Sequence, residues 1–238
     1  DQGLGGSSGL APGTSQTITI NNGGALTLQG GSSAQINVIG GTANPNNFFR
    51  GSFALIQSNG DSQQINFSGG ALNLTGGTVG SNNPAEIFSK FGTQTITGNP
   101  AVTMVAGASG GAQNGTINEG NYAQIFAAVG AQTFTLGTVQ LTGGSGGVNN
   151  FSGIFAPSQN IVVNGNLTLS GSSAGSGSAG SRIGAPSNAA SDFGLTVHGK
   201  ITLNGGDVTN GGSALGLSSN STTAQIGNLT ISADGDIS

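Results

Sequence analysis

Apolar and polar residues alternate along this chain in short runs, such as Thr17-Ile18-Thr19-Ile20 and Leu167-Thr168-Leu169. A period of two puts every second side chain on one face, so these runs predict strands with one buried side. Gly or Asn interrupts nearly every segment, and no window joins helical periodicity to good helix formers, so little or no helix is expected. The runs also repeat. Gly23-Gly24-Ala25-Leu26-Thr27-Leu28-Gln29-Gly30-Gly31 returns as Gly69-Gly70-Ala71-Leu72-Asn73-Leu74-Thr75-Gly76-Gly77, with seven of nine positions identical. Looser copies are Val102-Thr103-Met104, Val139-Gln140-Leu141, Leu167-Thr168-Leu169, Ile201-Thr202-Leu203 and Leu229-Thr230-Ile231, which makes seven. Their first residues lie 46, 30, 37, 28, 34 and 28 positions apart, as one supersecondary unit per repeat with loops of varying length would give.

Two further strands share the period. Upstream of the copies lie Gln16 to Ile20, Gln64 to Phe67, Gln94 to Thr97, Gln132 to Leu136, Asn160 to Val163, Leu195 to Val197 and, more weakly, Ala224 to Ile226. Downstream lie Ala54-Leu55-Ile56, Ala85-Glu86-Ile87-Phe88, Ala123-Gln124-Ile125-Phe126, Gly153-Ile154-Phe155, Ser181-Arg182-Ile183 and Ala214-Leu215-Gly216-Leu217. Three short strands per period predict an all-β chain: a parallel β-helix of about seven three-sided coils, right-handed by the crossover rule. The step from second strand to third is 13 residues from Leu74 to Ile87 and from Leu141 to Ile154, but 28 from Leu28 to Ile56 and 21 from Met104 to Ile125. Insertions therefore gather at one corner, as in a solenoid. Seven rungs about 4.8 Å apart make a column roughly 34 Å tall. Residues 15–238 are assigned to the β-helix and residues 1–14 to a flexible or docking segment. Between the paired apolar residues, Thr27, Asn73, Thr103, Gln140, Thr168, Thr202 and Thr230 are expected to point outward as a polar ladder.

Composition explains why glycine is abundant without implying a disordered polymer. The chain holds 47 Gly, no Cys and 5% charged residues, yet 34% hydrophobic residues, enough to build a core. Gly and Asn at corners permit the positive φ that turns between faces require. The net charge is -4, and the four cations Arg50, Lys90, Arg182 and Lys200 are scattered, which argues against nucleic acid as a partner. No apolar run approaches the roughly 20 residues of a membrane span. The start at Asp1, without Met or a leader, reads as a processed or excerpted product.

Candidate chemistry is sparse. Glycoside hydrolysis needs two carboxyls about 5 to 9 Å apart, and among Asp1, Asp61, Glu86, Glu119, Asp192, Asp207, Asp234 and Asp236 only the last two are close in sequence. Asp234-Gly235-Asp236 reads as a turn in preference to a calcium loop, since the Gly-Gly-x-Gly-x-Asp pattern of calcium-binding repeats is absent. His198 stands before Gly199 at a strand end, without triad or metal-ligand spacing, and reads as a solvated corner. No catalytic residue, metal site or cofactor is assigned. Phe48, Phe49 and Arg50 in the first corner insertion, with Tyr122 in the third coil, form a candidate contact patch, because aromatic and Arg side chains dominate hot spots. The reading preferred for Phe48 and Phe49 is a small satellite core under the loop. Seven Asn-x-Ser/Thr triplets, including those at Asn66, Asn73 and Asn166, are what chance gives in a chain so rich in these residues.

Two resemblances bear on function. Thr17 with Thr19, Thr95 with Thr97 and Thr133 with Thr135 resemble the flat Thr-x-Thr faces of ice-binding proteins, although Gln64-Ile65-Asn66-Phe67 and Ile161-Val162-Val163 break the pattern. The segments Ile161-Val162-Val163-Asn164-Gly165-Asn166-Leu167-Thr168-Leu169-Ser170-Gly171 and Gly227-Asn228-Leu229-Thr230-Ile231-Ser232-Ala233-Asp234-Gly235-Asp236-Ile237 resemble bacterial filamentous-haemagglutinin-type exoproteins and autotransporter passengers. That resemblance implies an extracellular or cell-surface β-helix used in adhesion or biofilm matrix, without an active site. The expected partners are further copies, joined end to end into a rod or filament, and a glycan or host-cell surface. The alternatives are an ice-binding protein and a polysaccharide-binding or polysaccharide-degrading β-helix.

Overall fold

The computed structural model describes residues 15–29, 53–78, 80, 83–110, 112–114, 117–177, 179–185, 192–216 and 227–238. Strands are numbered along the chain and fall into three parallel sheets. The first sheet contains β1 (Ser15–Ile20), β4 (Ser62–Phe67), β7 (Thr93–Thr97), β12 (Ala131–Leu136), β15 (Ser158–Val163), β18 (Phe193–Val197) and β21 (Leu229–Ala233). The second contains β2 (Ala25–Gln29), β5 (Ala71–Thr75), β8 (Ala101–Val105), β13 (Val139–Thr142), β16 (Leu167–Ser170) and β19 (Ile201–Asn204). The third contains β3 (Ala54–Ser58), β6 (Ala85–Ser89), β11 (Ala123–Ala127), β14 (Ser152–Phe155), β17 (Ser181–Gly184) and β20 (Ser213–Gly216). The chain visits the sheets in rotation, so each circuit adds one strand to each, which is a three-sided parallel β-helix. No helix occurs among the described residues. The one departure is a short antiparallel hairpin of β9 (Ala112–Asn114) and β10 (Ile117–Glu119), set in the corner insertion of the third coil.

Register follows the apolar alternation. Ile56, Ile87, Ile125, Ile154, Ile183 and Leu215 stack as one inward column of the third sheet. Leu28, Leu74, Met104, Leu141, Leu169 and Leu203 do the same in the second. A one-residue slip would turn every such side chain outward, so burial fixes the pairing. Corners are tight. Asn22, Asn99, Asn149 and Asn210 take positive φ, and at Gly98, with φ +89°, an added Cβ would strike the Phe67 carbonyl one coil below.

The seventh copy of the repeat is a correction. Leu229-Thr230-Ile231 pairs with Phe193, Gly194 and Leu195, so it belongs to the first sheet and not to the second. Ile237 takes the seventh place of the second sheet through a bridge to Ile201. From Leu195 to Ile231 and from Ile201 to Ile237 the step is 36 residues in both cases, one coil length shared by two sheets. An apolar-x-apolar triplet does not encode which side of the coil it occupies. The weak strand expected at Ala224 to Ile226 lies outside the described residues.

Two polar ladders run inside the column. Where the third sheet turns into the first, Gln63 donates from Nε2 to Gln16 Oε1 at 2.8 Å, and Gln94 to Gln63, Gln132 to Gln94 and Gln159 to Gln132 follow at 2.7 Å each. The second amide hydrogen of each goes to a backbone carbonyl of a third-sheet strand: Phe88 and Ile87 on β6, Ile125 on β11 and Ile154 on β14. A buried amide needs such partners, because leaving one unmade costs more than the bond itself contributes. The ladder stops at Gln159, whose register partner above is Phe193 and whose Oε1 has no partner. At the corner before the third sheet, Asn83, Asn121 and Asn150 stack likewise: Asn121 Oδ1 accepts from the Asn83 backbone N–H at 2.9 Å, and Asn150 Oδ1 from that of Asn121 at 2.7 Å.

Candidate functional site

The outer faces of the three sheets differ in chemistry. On the second sheet, Thr27, Asn73, Thr103, Gln140, Thr168 and Thr202 stack in register as the expected polar ladder. Asn73 donates to Thr27 at 3.4 Å. Thr230 is not part of it, since its neighbour is Gly194 on the first sheet. That first sheet presents two outward columns: Thr17, Gln64, Thr95, Thr133, Asn160, Gly194 and Thr230, and beside it Thr19, Asn66, Thr97, Thr135, Val162, Thr196 and Ser232. Both faces are what a strand directed at solvent requires.

The third sheet is different. Its outer face carries Leu55, Glu86, Gln124, Gly153, Arg182 and Ala214 in one column, and Gln57, Phe88, Phe126, Phe155, Gly184 and Gly216 in the next. Phe88 and Phe126 stack at 5.5 Å between centroids. Tyr122 stacks on Phe151 at 5.0 Å, and Phe151 meets Phe155 edge-on at 5.9 Å. These rings cover one another's faces and are half-buried, so they pack as a secondary cluster outside the main core. Of the predicted contact patch, Tyr122 lies in this cluster. Phe48, Phe49 and Arg50 lie outside the described residues.

Glu86 is the polar centre of the cluster. Gln124 donates from Nε2 to Glu86 Oε1 at 2.6 Å, and the Tyr122 hydroxyl is hydrogen-bonded to the same carboxyl. Burial pushes the Glu86 carboxyl up to about 7 against its two hydrogen bonds, and burial with Glu86 alongside pushes the Tyr122 phenol up as well. Arg182 donates to the Ala185 carbonyl at 3.0 Å, and burial lowers its pKa. The equivalence of Ala85-Glu86-Ile87-Phe88 and Ala123-Gln124-Ile125-Phe126 is visible in the sequence and places Gln124 above Glu86. The partnership of Tyr122 with Glu86 is not, because it depends on the corner path between β8 and β11.

The other titratable groups sit at corners. His198 Nδ1 lies 2.8 Å from Asp234 Oδ2, with both side chains largely exposed. Asp234 and Asp236 close the last turn through their backbones, Asp234 N–H to Val197 at 2.9 Å and Ile201 N–H to Asp236 at 2.9 Å. Asp192 Oδ1 accepts from both the backbone and side-chain nitrogens of Asn228, at 2.9 and 3.0 Å. Among the described residues no three His, Cys, Asp or Glu come together in a way that would hold a metal ion, and no helix is long and apolar enough to cross a membrane. On the last rung, Leu229, Ile231 and Ile237 are 55%, 36% and 63% exposed. Their register partners Phe193, Leu195 and Ile201 are buried, so these are inward positions, and among the described residues no rung lies above them. Compared with models of known protein families, with curated protein sequences and with solved structures, the chain has no match.

Proposed function

We propose that this chain is a structural and adhesive β-helical element of a cell surface, biofilm matrix or extracellular filament, working without catalysis. The observation that carries the reading is the continuous register of its side-chain columns, which stacks the strands into a column whose first and second sheets present mostly polar outer faces, interrupted on the first by Val162 and Gly194. A degradative enzyme would need a second acid beside Glu86, and the groups that bond to that carboxyl are a phenol and an amide. Self-association belongs to the proposal. The open edge of β21 and the exposed Leu229 and Ile231 accept another rung, whether a second copy or a further stretch of polypeptide supplies it. Electron microscopy and sedimentation of the purified chain, with adhesion and reducing-sugar assays on a panel of polysaccharides, test the reading. Rods that lengthen with concentration and hold to a surface are expected. Polysaccharide turnover, or globular monomers that adhere to nothing, would overturn it.

One observation favours ice binding as a second reading. With β21 on the first sheet, Thr230 and Ser232 extend the outward columns that hold Thr17 and Thr19, Thr95 and Thr97, and Thr133 and Thr135. Thermal hysteresis lost on Thr95→Lys and Thr133→Lys supports that reading, and none in the unaltered chain dismisses it.

A further inference from the structure

Glu86 stands out chemically because every group that bonds to it is neutral. On the outer face of the third sheet its register partners are Leu55 on β3 and Gln124 on β11, its neighbours along that face are Phe88 and Phe126, and Tyr122 reaches it from the corner that leads into β11. Of these only Glu86 and Tyr122 titrate. The sheet's cation, Arg182, is three strands away on β17 and donates to Ala185, and Lys90 beyond the end of β6 lies over the Phe91 ring at 4.9 Å. A carboxylate formed here has two hydrogen bonds and, among the described residues, no counter-ion, so its burial opposes its charge.

We propose that the Glu86 carboxyl, the Tyr122 hydroxyl and the Gln124 amide form a protonation-dependent clasp that fastens the corner leading into β11 onto the outer face of the third sheet. With Glu86 neutral, the carboxyl bridges β6 to β11 through Gln124 and to the corner through Tyr122. Ionisation favours any rearrangement that returns the carboxylate to water, and the route that breaks fewest contacts swings Tyr122 off Phe151. The backbone beneath is held independently, by Ala85 N–H to Tyr122 O at 2.9 Å and by the buried Asn83, Asn121 and Asn150 ladder. The clasp therefore opens the aromatic cluster while the coil stays wound. What it controls is access to Tyr122, Phe151 and Phe155, the rings that the closed state keeps half-covered.

The test uses two features of the composition. Glu86 and Glu119 are the only glutamates, and Tyr122 is the only tyrosine in a chain without tryptophan. Carbon-13 labelling of glutamate side chains then follows two carboxyls by NMR, and Tyr122 emission reports the ring stack without background. One carboxyl titrating near 7, the Tyr122 emission changing with the same midpoint, and both absent in Glu86→Gln with far-UV dichroism unchanged are the expected results. Between about 4.5 and 7 the opening equilibrium rises by up to about tenfold per pH unit and levels off above, which quenching of Tyr122 emission by an added solute reads. Two carboxyls titrating in the ordinary 4 to 5 range, or a Tyr122 transition that survives Glu86→Gln, would overturn the proposal. The titration of the unaltered chain decides the matter if Glu86→Gln fails to fold.

Discussion

Replacing Gln94 by Leu and Gln159 by Leu makes the same chemical change at two buried positions of one ladder, and the ladder predicts opposite results. Gln94 donates to Gln63 Oε1 and accepts from Gln132 Nε2, both at 2.7 Å. Leu at this position orphans both of those buried atoms, at about 1 to 3 kcal/mol each. Burying the apolar Leu returns about 1 to 2 kcal/mol, so the net loss is centred on about 2 to 3 kcal/mol and reaches at most about 5. Gln159 ends the ladder with an Oε1 that already lacks a partner under Phe193. Leu there removes one orphan and creates another at Gln132 Oε1, and the apolar gain leaves the chain unchanged or about 1 kcal/mol more stable. Urea unfolding followed by far-UV dichroism reads both as shifts of midpoint at constant slope. Gln94→Leu is expected to lower the midpoint and Gln159→Leu to leave it or raise it. Equal destabilisation by both would refute the view that the amides act as a connected ladder with one defective end.

Glu86 gives a pH dependence with a definite sign. Its pKa is about 7 when folded against an ordinary 4.5, so between these values the native chain holds a proton that the unfolded chain has released. Its contribution is complete below about 4.5, falls by up to about 3 kcal/mol as pH rises to 7, and is gone above; Glu86→Gln should flatten that slope in a series of melts. Gly98→Ala meets both a positive φ and the Phe67 carbonyl, and a loss of about 2 kcal/mol or more is expected. Gly205→Ala, which meets nothing within 4 Å, should change the melting temperature little, and an equal drop for both glycines would undo the corner argument. Met104→Ala opens a cavity in the second sheet's inward column and should cost about 2 to 5 kcal/mol, whereas Thr103→Ala beside it on the outer ladder should stay within about 0.5 kcal/mol.

The coil architecture was legible because burial imposes the same residue type at the same place in every circuit. Ile56, Ile87, Ile125, Ile154 and Ile183 were readable as one column before any coordinate, and so was the corner that takes the insertions. The misplaced triplet at Leu229 shows the limit, since two sheets use the same apolar-x-apolar pattern and only the 36-residue step of the last coil separates them. The glutamine ladder was half visible. Gln16, Gln94 and Gln132 each precede a strand's apolar run, but polar residues at strand starts ordinarily face water. Nothing local indicates that these turn inward, because their partners are one coil away in sequence. Glu86 with Tyr122 was illegible for the same reason, a contact across 36 residues through a corner.

Rung-to-rung uniformity also separates what stacking explains from what it does not. A column of Ile, Gln or Thr that repeats from coil to coil needs no cause beyond its neighbours, because each residue is stabilised by copies of itself above and below. By that criterion the inward columns, both amide ladders and the outer faces of the first and second sheets are accounted for by the column alone. The outer face of the third sheet is not. Leu55, Glu86, Gln124, Gly153, Arg182 and Ala214 share one column and no chemistry, and beside them Phe88, Phe126 and Phe155 give way to Gly184 and Gly216. The first sheet's outer columns admit Val162 and Gly194, but only on the third sheet do apolar, acidic, basic and aromatic residues succeed one another, and stacking does not supply a reason for that mixture. That is why the clasp at Glu86, and not the threonine ladders, is the place to look for a property specific to this chain.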